Sequence, residues 1–105
     1  MTDNEIRLKA IAALTALRSG ADSTFVSDLL ADVVPSRFLV PAEAGPEETG
    51  RAVLEQVSAP FNELVTGFIL AFETVADAHD RTDPESPTEE LLQNLALALA
   101  LEDTE

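Results

Sequence analysis

Few side chains in this sequence have the type and the neighbourhood to do chemistry. His79 lies among Asp77, Asp80 and Asp83, with Glu85 just beyond, so one imidazole and several carboxylates fall within nine residues. An imidazole can move protons near neutral pH or ligate a transition metal, and clustered carboxylate oxygens suit Ca²⁺ or Mg²⁺. His79 is, however, the single His of 105 residues, which leaves no two-His metal site within one chain. The acids also lack the D-x-D-x-D-G order and the Gly turn of a calcium loop. We therefore read His79 as a helix-end residue whose positive form offsets the acids at the negative end of the helix dipole, and the acids as a solvated loop. No metal is expected.

Glu63, Glu73 and Asp77 could form a carboxylate pair for acid–base work, but such a pair needs a desolvated pocket to raise one pKa. Helical spacing puts them opposite the stripe Phe61, Phe68, Phe72, so they are expected in solvent. Gly20, Gly45, Gly50 and Gly67 fit neither G-x-x-x-x-G-K-[ST] nor G-x-G-x-x-G, and there is no Trp, Tyr or Cys. Phosphate loops, ring-stacking platforms, thiol nucleophiles and disulfides are thus absent. We expect no enzyme and no cofactor.

The elements that would position these groups read as helices. Residues 4–19 place Ile6, Ala10, Ala13, Leu14 and Leu17 on one stripe and end at Gly20. Leu8 and Ile11 lie outside that stripe and make a second apolar side. A helix over 23–34, capped by Asp22 or Ser23, carries Phe25, Val26, Leu29, Leu30 and Val33 and stops at Pro35. Ala16, Gly20, Val26 and Leu29 have the spacing of a helix-turn-helix. The second helix presents no Arg or Lys, so we read this as an αα-corner. Residues 35–46 form a connector rich in Pro and Gly, in which Arg37–Val40 serves as an extended tether.

Apolar positions then recur in steps of three and four from Val53 to Ala76 and stay in phase across Pro60. This predicts either one long helix kinked at Pro60 or two helices, 47–58 and 60–79. The Phe stripe is taken as core. Leu70 falls on the polar side, among Glu63, Thr66, Thr74 and Asp77. An acidic loop over 80–87 precedes a last helix, 88–102, with Glu89 and Glu90 at the positive end of its dipole. Within it NLALALALED alternates like a strand but is built of helix formers. On a helical wheel Leu92, Leu95 and Leu99 lie on one side, Leu97 and Leu101 nearly opposite, and Ala96 and Ala100 between. A helix apolar all round is central in a bundle or sandwiched against another chain.

The fold class expected is therefore all-α: a compact single-domain bundle of four to five helices spanning 1–105. Twenty acids against six bases give a formal net charge of -14, with a single Lys against five Arg. Such a surface repels phosphate backbones and anionic lipid, which excludes direct nucleic-acid and membrane partners. No apolar run reaches the roughly 20 residues that cross a bilayer, and the first residues lack the pattern of a signal peptide. A cytoplasmic location is expected. The reading that follows is a small acidic regulatory protein that acts by docking, as a homodimer and with a possible second protein. Its candidate surface comprises Leu92, Leu95, Leu97, Leu99, Leu101, Leu70, Leu8 and Ile11. Two alternatives are an acidic DNA mimic that inhibits a nucleic-acid-binding protein, and a regulator holding an apolar ligand between Phe61, Phe68 and Phe72.

Overall fold

The computed structural model describes residues 1–103. It contains four helices, α1 (Asp3–Arg18), α2 (Ser23–Ala31), α3 (Pro46–Arg81) and α4 (Thr88–Asp103), and no strand among the described residues. The chain divides into two compact units, Met1–Leu70 and Ala71–Glu105, and α3 contributes to both.

The first unit begins with well-capped helices. Thr2 holds extended backbone and its Oγ1 accepts the N–H of Glu5 at 3.1 Å, which satisfies a first-turn donor that has no partner within the helix. Asp3 and Glu5 in the first turn and Arg18 in the last complement the dipole of α1. The chain leaves α1 through Gly20 at φ +97°, a conformation that side chains resist and Gly adopts freely. Asp22 then caps α2, its carboxylate accepting the N–H of Phe25 at 2.9 Å. Helix α2 is shorter than expected and ends at Ala31. Pro35 disfavours the α conformation at Val34. The N–H groups of Val33 and Val34 bond three residues back, to Leu30 and Ala31, in tightened turns.

Residues 46–81 are one helix, which decides between the one-helix and two-helix readings. Pro46 sits at its first position, where a missing N–H costs nothing, and Thr49 donates to Gly45 O at 2.9 Å. Pro60 removes the N–H that would reach Gln56 O, yet the helix continues because one lost bond is outweighed by the turns on either side. Ser58 starts no new helix. Its hydroxyl donates back to Leu54 O at 2.7 Å.

The core of the first unit is small. Ile6, Ala10 and Ala13 of α1, Val26 of α2 and Val33 just after it are buried, with Gly67 of α3 beneath α1. A Cβ at Gly67 would stand 2.8 Å from Ala10 Cβ and 2.8 Å from the carbonyl O of Arg7. No side chain fits, so the backbone of α1 comes down directly on α3. One turn earlier on α3, Glu63 accepts from Arg7 Nε at 2.7 Å, with both side chains partly covered. The expectation of a solvent-facing Glu63 is corrected: it is the ion-pair partner of α1.

Close contact through Ala and Gly leaves the larger side chains at the rim. Leu14 and Leu17, expected on the buried stripe, are partly exposed. The core assignment of the Phe stripe is corrected likewise: Phe61 is 59% and Phe72 47% exposed, and only Phe68 is half-buried. The connector is pinned as expected of a tether. Gln56 Nε2 donates to Leu39 O at 2.7 Å and to Ala52 O at 2.9 Å, while Leu39 N–H donates to Gln56 Oε1 at 2.8 Å. One side-chain amide thus serves both backbone groups of Leu39 as a neighbouring strand would.

Two substitutions in α3 should move stability in opposite directions. Gly67→Ala forces the α1 crossing apart, and overpacking of this kind costs about 1–3 kcal/mol against a helix-propensity gain of about 1. Gly50→Ala meets nothing within 4 Å and should keep that gain. Urea unfolding followed by circular dichroism reads both, with the midpoint expected to fall for the first variant and rise for the second.

Candidate functional site

The second unit comprises the end of α3, a turn, and α4. Its turn is closely specified. Arg81 ends α3, and Thr82 folds back, its Oγ1 donating to His79 O at 2.7 Å. Asp83 takes φ +55°, a left-handed position that Asp tolerates better than most side chains. Across the turn His79 Nε2 lies 2.8 Å from Ser86 O, so that nitrogen carries the hydrogen. His79 therefore closes a corner.

Asp80 closes the same corner from the next position. Its Oδ1 accepts the backbone N–H of Thr88 at 2.8 Å and the Thr88 hydroxyl at 2.9 Å, which caps the first turn of α4 from outside the helix. The Thr88 backbone N–H holds the Asp80 carboxyl below its ordinary pKa, and the Thr88 hydroxyl adds to this. Among the described residues no group of three or more His, Cys, Asp or Glu could hold a metal ion. Asp77, Asp80, Asp83 and Glu85, read as solvated acids, are all exposed, and Asp80 is turned to Thr88 of α4. Asp77 and Glu73 are exposed, as expected.

Helix α4 itself carries the candidate residues. Not one of its described residues is buried. Leu92, Leu95, Leu97 and Leu99 are 46%, 57%, 63% and 54% exposed, and Leu101 and Leu91 are exposed as well. Within its own unit, then, α4 is not a buried central helix. The described residues 91–101 form an uninterrupted uncharged span, with Glu89 and Glu90 before it and Glu102 and Asp103 after it. Leu8 and Ile11 are exposed on α1 in the first unit, and Leu70, about half exposed, closes that unit. The five predicted leucines of α4 share one helix.

The first unit holds an open cleft of about 490 Å³. Its floor includes Ile6 and Val33, and its walls include Asp3, Asp32, Gln56 and Pro60. Asp32 is already engaged by Lys9, at 3.4 Å, and Gln56 by the tether. No Phe lines this cleft, and the expected apolar cavity has no enclosing wall in Phe61 or Phe72, which are half exposed. No described helix is long and apolar enough to cross a membrane. No family model, curated protein or solved structure matches this chain.

The roles of Gly67, Gln56 and Asp80 did not emerge from the sequence. An isolated Gly within a helical pattern is a usable signal for a close crossing. Nothing in the spacing of Asp80 and Thr88 marks a cap delivered across a turn.

The Asp80 contact has a defined pH sign. Its carboxyl is more acidic folded than unfolded, so its stabilisation is present above the ordinary aspartate value of 3.8 and is lost as pH falls through the lower folded value. Amide exchange at residues 88–91 should accelerate in Asp80→Ala at neutral pH. Acidification below pH 4 should bring the parent chain toward the variant and leave the variant's own corner unchanged.

Proposed function

We propose that this chain acts by protein–protein docking and that α4 is its docking element. The supporting observation is a helix with leucines on opposite sides, none of them buried within its own unit. Full burial of a Leu contributes roughly 1.5–3 kcal/mol. Leu92, Leu95, Leu97 and Leu99 stand about half exposed, so about 1 kcal/mol at each, on the order of 4 in all, is left for an external surface to supply. Isolated exposed leucines are ordinary on a protein; a contiguous set on one uncharged helical span is a contact surface.

The acidic remainder has a compatible role. It keeps so apolar a helix soluble and repels phosphate, which confines the partners to proteins. The corner at His79, Asp80 and Thr88 fixes where α4 starts, so the surface is presented on an ordered element rather than on a free tail.

The chain has no Cys, which makes the test direct. Single-Cys variants Leu97→Cys and, as an exposed control on α2, Ser27→Cys are treated with a membrane-permeant thiol reagent in the cells that make the protein. Docking through α4 predicts that position 97 labels at least tenfold more slowly than position 27, and that the difference disappears after denaturation. Equal labelling in the cell contradicts the proposal.

A further inference from the structure

We infer that the cleft of the first unit is a recognition site for an extended segment of another protein, one that presents an Arg side chain flanked by apolar residues. The inference is independent of α4, since every residue lining the cleft lies within Met1–Leu70.

The first argument is size and shape. The cleft volume of about 490 Å³ falls within the range of about 300–1,000 Å³ typical of ligand sites. A small molecule is usually enclosed over most of its surface. This cleft is open to solvent, so whatever enters it keeps part of its surface outside, as a side chain carried on a longer partner does. Ile6 and Val33 on the floor are both buried and offer apolar contact to the stem of such a side chain.

The second argument is charge complementarity, because the free polar groups at the walls are acceptors. The Asp3 carboxylate makes no hydrogen bond or ion pair among the described residues, and the Met1 amino group pairs with neither Asp3 nor Asp32. Lys9 holds only Oδ2 of Asp32, at 3.4 Å, and the Asp32 side chain is 64% exposed. Asp32 also stands at the C-terminal end of α2, where the helix dipole disfavours an acid, so its place is not set by the stability of that helix. Pro60 supplies a third acceptor: having no N–H, it leaves the Gln56 carbonyl, which lies against its ring, without a helical donor. The side-chain amide of Gln56 is occupied by the tether and by Ala52 O and adds no donor. No lining side chain is basic. Two carboxylates and a carbonyl around an apolar floor match a guanidinium, which has five N–H donors, no acceptor, and weaker hydration than an ammonium.

The test is nuclear magnetic resonance of the full chain titrated to about 5 mM with the blocked peptide acetyl-Leu-Arg-Leu-amide, and with the same peptide carrying citrulline, the neutral isostere of Arg. Saturable shifts are expected at Ile6, Val33 and Gln56. An exposed ion pair is worth up to about fivefold in affinity, so the Arg peptide should bind about two- to fivefold more tightly than the citrulline peptide. About 1 M NaCl should erase that preference, and so should Asp3→Asn with Asp32→Asn. Both replacements leave the caps at Thr2 and Asp22 in place, and the preference is read within one variant, so it does not depend on equal stability. Absence of saturable shifts in the cleft overturns the inference, as does equal binding of the citrulline peptide. Shifts confined to residues 91–101 also overturn it, and butylguanidinium binding as tightly as the peptide would assign the cleft to a small cation instead.

Discussion

Helix α3 can take α1 at backbone range because position 67 has no side chain, and the first unit depends on that contact. With Ala10 set against Gly67, the interaxial distance is short enough for Arg7 to reach Glu63 and for Ile6 and Ala13 to be covered as well. The same closeness limits what the unit can bury. Small residues give a tight contact of small area, and the leucines and phenylalanines around it are left at the edges. A core of this kind is held by geometry more than by apolar mass, which is why a single methyl at position 67 matters more than the loss of one rim side chain.

That constraint explains how a chain with 46% hydrophobic residues can carry so short a roll of buried ones. The surplus stands exposed at the rim of the first unit and along α4. In the second unit the turn is specified by four side chains in succession: His79 to Ser86 O, Thr82 to His79 O, Asp80 to Thr88, and Asp83 in a left-handed conformation. So much local determination at a turn, beside a helix none of whose described residues is buried, separates two tasks. The corner orders α4, and contact with another surface completes its burial.

Much of the fold was legible in the sequence, because helix periodicity and caps are local. The helices at both ends were read to within a residue or so, as were the stop at Gly20 and the tether around Leu39, and of the two caps read for α2, Asp22 or Ser23, the structure uses Asp22. What was not legible is tertiary. Continuity of α3 through Pro60 depends on the energies of whole turns, which a single residue cannot reveal. Phe61, Phe68 and Phe72 have core spacing, but spacing says only that they share a side of the helix, and Phe61 and Phe72 stand about half exposed. The candidate surface shows the same division. Sequence placed five leucines around α4; only the structure could show that each is left about half exposed or more. The close crossing at Gly67 and the cap from Asp80 join residues far apart or across a turn, where no local pattern points.

The central claim is that α4 docks on a surface outside its own chain, and amide hydrogen exchange of the purified protein, diluted to submicromolar concentration, tests it most directly. Residues 91–101 should exchange at least tenfold faster than the amides of α1 around Ala10 and Ala13. Strong protection of α4, equal to that of α1, would contradict the account.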